Sequence, residues 1–160
     1  MEQQSLTYKE ERLFEQVTSI GQLKVAYKAV KANGGVPGTD GVSVEDYGRN
    51  LDEELRRLAQ EVRDWVYQPK PVKRVRIPKP GTKNEERLLG VPCVRDRVLQ
   101  YSLKMTLDEL FLSGFSKSSF GFIPGRSQKQ AVAQAKELVK AGKEWVVDID
   151  LEKILRPHQS

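Results

Sequence analysis

A chain of 160 residues, 38% of them hydrophobic, can bury one core, and we expect a single domain. Its single cysteine excludes an internal disulfide, and the sequence has no Cys/His cluster that could hold zinc. Because no apolar run approaches the length of a membrane span and the N-terminus does not resemble a signal peptide, we expect a cytoplasmic protein that does not bind membranes.

The positive charge is concentrated in residues 70–97. This stretch has nine basic and three acidic residues, a local net charge of +6 against +5 for the whole chain. The rest of the chain is therefore nearly neutral. Glycines, prolines and apolar residues are interleaved with the charges, which favours an organised phosphate-facing surface over a solvated basic face.

The first 41 residues are predicted to form an arm, a helix and a loop. Residues 1–21 are polar, with scattered apolar positions. Apolar residues at helical spacing predict a helix over 22–33, and the glycines that follow suit its C-terminal cap. Residues 34–41 hold glycines and a proline, which force turns. Turn formation alone explains these glycines; the alternative is that their bare backbone N–H groups approach a phosphate.

A helix and a hairpin are predicted next. Residues 44–67 have apolar positions at alternating spacings of four and three, which indicates one long scaffold helix. Pro69 and Pro71 end it. Apolar and basic residues then alternate over 72–77, a Pro/Gly turn follows, and 87–92 can return as a second strand. The pattern predicts a basic β-hairpin with a Gly/Lys tip.

Two more helices complete the predicted framework. Residues 96–111 are apolar around most of the helical circumference, so we expect a mostly buried helix. A second glycine-bearing stretch, 118–127, precedes a helix that ends near Ala141, with Ser127 and Gln130 as its capping box. Arg126, just before this helix, is either a solvated side chain or a phosphate clamp.

Residues 145–151 predict a buried strand, because β-favouring residues lead into Asp148 and Asp150, which alternate with Ile149. Side chains alternate faces along a strand, so both carboxylates would point the same way, roughly 6.5–7 Å apart. Two interpretations fit this pair: ligands of a divalent metal ion, or solvated carboxylates at a strand end.

Five stretches together resemble the group II intron reverse transcriptases, which are intron-encoded maturases and retron-type RNA-directed DNA polymerases. They occur in family order and cover most of the chain from residue 22 to 153. The five are NGGVPGTDGVS at 33–43, YQPKPVKRVRIPKPG at 67–81, RLLGVPCVRDRVLQ at 87–100, SFGFIPGRS at 119–127 and VVDIDLEK at 146–153.

The resemblance implies an α+β fold: a reverse-transcriptase fingers subdomain of helices plus a basic β-hairpin, followed by the first strand of a truncated palm sheet. The implied organisation is an N-terminal arm at 1–21, a fingers-like region at 22–144, the first palm strand at 145–153 and a divergent tail at 154–160. RNA, as intron or template, and a deoxynucleoside triphosphate are the implied partners.

The resemblance also implies roles for particular residues. Lys79 and Arg87 match positions that contact the nucleotide triphosphate, and Leu151 would offer a backbone carbonyl to the second Mg²⁺. Asp150 matches the first metal-binding aspartate of the palm and is the candidate catalytic residue. The implied RNA-binding residues are Lys73, Arg74, Arg76, Arg95, Arg97, Arg126, Gly34, Gly35 and Gly38.

The tail departs from the family. Where the family continues Phe-Phe-Asp, this chain has Ile154-Leu155-Arg156, and the Tyr-Ala-Asp-Asp strand that supplies the other two carboxylates does not follow. Two-metal phosphoryl transfer needs those ligands. We therefore expect a truncated, inactive fragment that keeps an RNA- and nucleotide-binding surface and holds no Mg²⁺ stably. Leu88 and Ile123 also differ from the family's usual proline and arginine.

Two other functions remain open. One is an active enzyme whose palm is completed by a separate chain; the other is a non-enzymatic RNA-binding or dimerisation module. A palm strand without its neighbour would expose an unpaired edge and the apolar side of Val146, Val147 and Ile149. We therefore expect a homodimer that forms through this edge.

Overall fold

The structure, a computed structural model, describes residues 11–78, 81 and 86–150. The chain divides into two compact units, Met1–Ser113 and Gly114–Ser160. The first unit consists of helices and one β-hairpin, which agrees with the predicted α+β class. Its elements are α1 (11–17), α2 (Ile20–Asn33), α3 (Val44–Arg49), α4 (Leu51–Arg63), β1 (Lys73–Pro78), β2 (Glu86–Val91) and α5 (Val94–Phe111).

The core of the first unit lies where α2 packs against α4 and α5. The helix predicted at 22–33 is confirmed, and it begins two residues earlier because the Ser19 hydroxyl accepts a hydrogen bond from the N–H of Gln22 at 3.3 Å. The buried residues of this core share positions on the inner faces of four helices. They are Leu23, Ala26, Tyr27, Val30, Val44, Tyr47, Leu55, Leu58, Ala59, Val94 and Val98.

The single helix predicted over 44–67 is wrong, because the chain forms two helices, α3 and α4, that meet at Asn50 (φ −117°, ψ 42°). Helix α3 is held against α2 by a close contact at Gly48. A Cβ at residue 48 would lie 2.0 Å from the hydroxyl of Tyr27, which donates to the carbonyl of Val44 at 3.0 Å. The buried tyrosine thus packs directly on the α3 backbone.

Helix α4 ends at Arg63, four residues before the predicted end. Trp65 adopts a left-handed conformation (φ 59°), and its ring stacks on that of Phe14 with centroids 5.4 Å apart. The N–H groups of Val66 and Tyr67 both donate to the carbonyl of Glu61 at 3.0 Å. Capping bonds of this kind satisfy the last helical carbonyls and turn the chain towards the hairpin.

Helix α5 is confirmed, but the expectation that it is mostly buried is wrong. Its inner face carries Val94, Val98, Ser102 and Thr106. The polar members of this face are satisfied by Gln22, whose amide donates to the Thr106 hydroxyl at 2.8 Å and to the Ser102 carbonyl at 2.9 Å. The apolar residues on the other side are exposed, namely Leu103, Leu107, Leu110 and Phe111.

The second unit contains α6 (Gln128–Lys140), and its predicted capping box is present. The N–H of Ser127 donates to the side chain of Gln130 at 2.7 Å, and the N–H of Gln130 donates back to the Ser127 hydroxyl at 3.4 Å. Every side chain of α6 is at least partly exposed. Capping, more than burial, therefore accounts for where this helix begins.

The strand predicted at 145–151 is wrong for residues 145–150, which have no regular secondary structure and are exposed. A strand needs a partner for its backbone hydrogen bonds, and the sheet of the described chain pairs only β1 with β2. The expected first palm strand, and the strand edge expected to form a dimer, are therefore not formed. Among the described residues, no helix is long and apolar enough to cross a membrane.

Candidate nucleic-acid interface

The predicted basic hairpin is confirmed as an antiparallel pair of six-residue strands. Lys73 pairs with Val91 at one end, and Pro78 pairs with Glu86 at the other. Lys79, one of the two predicted triphosphate contacts, lies outside the described residues. Gly81 at the turn has φ 82°, which glycine adopts without strain.

The register divides the cations of the hairpin between its two faces. Directly opposed residues in an antiparallel pair share a face, and successive residues alternate. One face, here called the apolar face, carries Lys73, Val75, Ile77, Arg87, Leu89 and Val91. The other, here called the arginine face, carries Arg74, Arg76, Pro78, Glu86, Leu88 and Gly90.

The apolar face presents a short aliphatic strip with a cation at each end. Val75 and Ile77 are partly buried, and Leu89 is about half exposed. Arg87 lies directly opposite Ile77, and its side chain is exposed. This face can therefore offer an aliphatic surface and a guanidinium to the same ligand.

The arginine face is open along its length. Arg74 and Arg76 are both exposed, and Leu88, which lies opposite Arg76 on β2, is 63% exposed. Glu86 forms an ion pair with Arg76 at 3.5 Å between Oε2 and Nη1. Their side chains are 54% and 76% exposed, and pairs of this kind contribute little to stability.

A buried network fixes the base of the hairpin. The carboxylate of Asp96, only 2% exposed, accepts a hydrogen bond from the Tyr67 hydroxyl at 2.5 Å and one from the N–H of Lys70 at 3.1 Å. Burial, and after it the hydrogen bond to Asp96, raises the pKa of the Tyr67 hydroxyl. The chain between α4 and β1 is thereby tied to the first turn of α5.

Arg95 belongs to this network as well. Its guanidinium forms an ion pair with Glu61 and lies 5.3 Å from the centroid of the Tyr67 ring. Burial alone would lower the pKa of Arg95, but the hydrogen bond and ion pair with Glu61 raise it. Only 15% of the side chain is exposed, so its contacts in the structure are internal.

The predicted glycine-rich loop is held by Arg97. The guanidinium donates to the carbonyl of Val36 at 2.9 Å and to that of Gly34 at 3.4 Å. Gly34 and Gly35 have φ values of 63° and 109°, and a Cβ on Gly35 would lie 3.0 Å from Nη1 of Arg97. Turn formation explains both glycines; a phosphate contact by their N–H groups stays a prediction.

The other end of this loop packs beside Cys93, which is buried. The hydroxyl of Thr39 donates to the carbonyl of Pro71 at 2.8 Å, and the Lys70 ammonium lies 3.2 Å from the Asp40 carboxylate. Burial alone would raise the pKa of Asp40, but hydrogen bonds from the Val42 N–H and Lys70 outweigh it and lower the pKa.

Arg126 closes a loop in the second unit. One of its terminal nitrogens, Nη1, donates to the carbonyls of Ser116 and Ser119, both at 2.5 Å. Gly125 before it has φ 75°. Phe122 also has a positive φ, 56°, and its side chain is fully exposed, so it does not anchor a core.

Asp148 and Asp150, the carboxylates of the predicted metal site, are both exposed in the irregular segment. Leu151 lies outside the described residues. Within 11–78, 81 and 86–150 there is no cluster of three or more His, Cys, Asp or Glu residues that could hold a metal ion. The described donor set does not fit the two-Mg²⁺ centre of a polymerase, and the role of Asp150 stays a prediction.

The buried network was missed from the sequence. Asp96 lies between Arg95 and Arg97 in the chain, so the sequence indicates only a charge that offsets the basic stretch. The position of Asp96 in the first turn of an apolar helix could have indicated the network. A carboxylate is favoured there by the helix dipole, and a buried carboxylate needs hydrogen-bond donors around it.

The chain is similar to several curated proteins, although no protein-family model matches it. It is 30% identical over 128 residues to the group II intron-encoded protein LtrA of Lactococcus lactis subsp. cremoris, which covers 80% of this chain and 21% of LtrA. It is 31% identical over 137 residues to the COX1/OXI3 intron 1 protein of Saccharomyces cerevisiae, covering 84% of this chain and 16% of that protein. With protein YkfC of Escherichia coli K12 the identity is 38% over 119 residues, 72% of this chain and 31% of YkfC.

These similarities confirm the predicted family: the chain is related to the group II intron-encoded proteins. It spans less than a third of the length of each of these three relatives.

Proposed function

We propose that this chain binds RNA through its basic hairpin, as the fingers region of a reverse transcriptase of the group II intron type. The observation that carries the proposal is the hairpin itself. It exposes Arg74, Arg76 and Arg87 to solvent, while a buried network holds its base. The relationship to group II intron-encoded proteins supports RNA as the polyanion.

The chemistry of the hairpin suits a phosphate backbone. Arginine presents a rigid fork of donors to phosphate oxygens, and neutralising phosphates releases condensed counterions. The exposed Leu88 and Leu89 place apolar surface beside these cations, which suits contact with sugars and bases. Five other residues of the implied RNA-binding set already make internal contacts: Gly34, Gly35, Gly38, Arg97 and Arg126. They would add to this surface only through their backbone or through rearrangement.

A nucleoside triphosphate is the second proposed ligand. Arg87 would contact its phosphates beside the aliphatic strip of Val75, Ile77 and Leu89, together with Lys79. Lys73, at the other end of this face, would contact the RNA. In this proposal, the hairpin supplies positioning and charge neutralisation, not a covalent step.

RNA-directed DNA synthesis and maturase activity are proposed for a longer protein of this family, in which Asp150 would be one of several Mg²⁺ ligands. This chain by itself is proposed to be inactive in primer extension, since its described carboxylates form no such set.

The test is fluorescence anisotropy of the chain with a structured intron RNA over a series of salt concentrations. We expect salt-dependent binding that weakens in Arg74→Gln, Arg76→Gln and Arg87→Gln. Lys28→Gln, which removes an exposed cation from α2, is the matched control and should bind like the parent protein. Equal affinities for all four variants and the parent protein would overturn the proposal.

Self-association is the second proposed function, because the second unit exposes much apolar surface. Trp145, Val146, Val147 and Ile149 are each at least 80% exposed. Apolar patches of this kind are typical of interaction sites. Sedimentation at micromolar concentration should show a dimer that Val146→Asp with Ile149→Asp converts to monomer; a monomeric parent protein would contradict it.

A further inference from the structure

We propose that the exposed indole of Trp65 is a stacking platform for an unpaired base of single-stranded RNA. Trp65 lies at the end of α4, outside the hairpin. The inference rests on the proposed RNA-binding function and adds a second kind of contact to it, because the platform contacts bases whereas the hairpin arginines contact phosphates.

The backbone at Trp65 has a conformation that suits glycine better than tryptophan. Helix α4 ends in a Schellman motif, in which the N–H of Val66 donates to the carbonyl of Glu61 at 3.0 Å. The N–H of Trp65 donates to the carbonyl of Val62 at 3.2 Å in the same turn. This motif needs a left-handed residue, and Trp65 supplies it with φ 59°, which costs free energy in a residue that has a Cβ. A bulky residue that persists in this conformation points to a role for its side chain.

The ring of Phe14 supports one face of the indole. The two ring planes are 7° apart in angle, and their centroids are 5.4 Å apart. Phe14 is itself fixed, because its carbonyl accepts a hydrogen bond from the Thr18 hydroxyl at 2.9 Å, and the guanidinium of Arg63 donates to that hydroxyl at 3.0 Å. Helix α1 is thereby tied to the end of α4. The indole is therefore ordered before a ligand arrives, which lowers the entropy cost of binding.

The other face of the indole is open to solvent, because Trp65 is 84% exposed although Phe14 stacks on it. A flat aromatic surface stacks on a nucleobase regardless of sequence, since every base has a π-face. The two residues before it, Arg63 and Asp64, carry opposite charges, and Asp64 accepts hydrogen bonds from Gln60 at 2.9 Å. The platform therefore adds little net charge, and its contribution to binding should not depend on salt as that of the hairpin arginines does.

The platform and the hairpin lie close enough along the chain for one RNA strand to contact both. Lys73, the first residue of β1, follows Trp65 by eight residues, and eight residues span at most about 26–29 Å. A strand of 20 nucleotides is about 68 Å long even at the duplex spacing of about 3.4 Å per nucleotide. The bases of a duplex are already paired and stacked inside it, so the platform favours single strands.

The first measurement follows the fluorescence of Trp65 itself. The chain has two tryptophans, so Trp145→Phe leaves Trp65 as the only one. An adenosine 20-mer should quench its emission in a saturable manner. The same strand annealed to a uridine 20-mer should leave the emission nearly unchanged, and so should heparin, a polyanion without bases. Unchanged emission at saturating adenosine 20-mer would overturn the proposal.

The second measurement compares full-length variants by anisotropy with a fluorescein-labelled adenosine 20-mer over a salt series. Trp65→Leu should weaken binding about fivefold or more at every salt concentration and leave the slope of log affinity against log salt unchanged. Trp65→Phe, which keeps an aromatic ring, should retain most of the affinity. Phe122→Leu is the matched control, because Phe122 is also exposed and also has a positive φ of 56°, and it should bind like the parent protein.

The outcomes separate this inference from the proposed function. If Trp65→Leu binds as tightly as the parent protein, the platform is wrong while RNA binding by the hairpin stands. If Trp65→Leu also lowers the salt slope, Trp65 supports the hairpin instead of stacking on a base, and the platform is again wrong. If Trp65→Leu weakens binding but Arg74→Gln, Arg76→Gln and Arg87→Gln do not, the hairpin assignment fails and the platform stands. If the parent protein binds no RNA, both fail.

Discussion

Gly38 lies against the backbone of Cys93 so closely that a Cβ at residue 38 would be 2.7 Å from both the Cα and the N of Cys93. The contact joins the glycine-rich loop to the residue just before α5. It explains Gly38 by packing, because the neighbouring atoms are backbone and cannot rotate away. Cys93 itself is fully buried, so the contact lies in the interior of the first unit.

Gly38→Ala should therefore destabilise the chain. Overpacking against fixed atoms costs about 1–3 kcal/mol, and urea unfolding measures the loss as a lower midpoint. Gly21→Ala is the matched control: it lies in α2 with open space around it, and alanine should stabilise the helix by about 0.5–1 kcal/mol. A Gly38→Ala variant as stable as the parent protein would contradict the close packing.

The raised pKa of Tyr67, caused by burial and by the hydrogen bond to Asp96, predicts a loss of stability at alkaline pH. The pKa of Tyr67 is raised in the folded state, so the folded chain holds the phenolic proton more tightly than the unfolded chain does. Its contribution is fully present below the usual tyrosine pKa of about 10 and is lost as the pH rises above it. Tyr67→Phe should remove part of this dependence.

Urea unfolding between about pH 8 and 11 tests this prediction. The parent protein should lose stability more steeply than Tyr67→Phe above about pH 10. Some slope should remain in the variant, because burial also raises the pKa of Tyr47. Parallel curves for the two proteins would show that the Tyr67 proton is not held more tightly on folding.

The lowered pKa of Asp40 predicts that the chain loses stability at acidic pH. Its pKa is lowered in the folded state, so its contribution is present above the usual aspartate pKa of about 3.9 and is lost as the pH falls through the folded pKa. Asp40→Asn should therefore be less stable than the parent protein at pH 7, and the difference should shrink below about pH 4.

The partner of this carboxylate supplies the control. Lys70→Gln removes the ammonium 3.2 Å away and should reduce the effect of Asp40→Asn when the two changes are combined. Unfolding free energies of the parent, the two single variants and the double variant at pH 7 give this coupling. Additive losses would mean that Lys70 does not contribute to the lowered pKa.

Local periodicity predicted α2, the hairpin and α6 because each has its own repeat or cap. It did not predict the break at Asn50, since the apolar spacing continues across it. The close contact of Tyr27 with Gly48 of α3 joins residues 21 apart in the chain, which a local repeat does not report. The pattern at 145–151 has strand periodicity, but a strand also needs a paired neighbour, which periodicity does not report. Because side chains alternate along β1, Lys73 and Arg74 must lie on opposite faces of the hairpin. Which of them shares a face with Arg87 depends on the register between β1 and β2, which the sequence does not give.

A substitution of Arg95 distinguishes a structural role of this residue from an RNA-binding role. The family resemblance implies an RNA-binding role for Arg95, whereas its guanidinium is paired with Glu61 and lies over the Tyr67 ring. Arg95→Gln should lower the free energy of unfolding by about 1–3 kcal/mol, because a partly buried carboxylate loses its partner. It should leave the salt slope of RNA binding unchanged at temperatures where the variant is folded. Arg74→Gln should do the reverse, with unchanged stability and a smaller slope. A smaller slope in Arg95→Gln without loss of stability would assign Arg95 to the RNA interface.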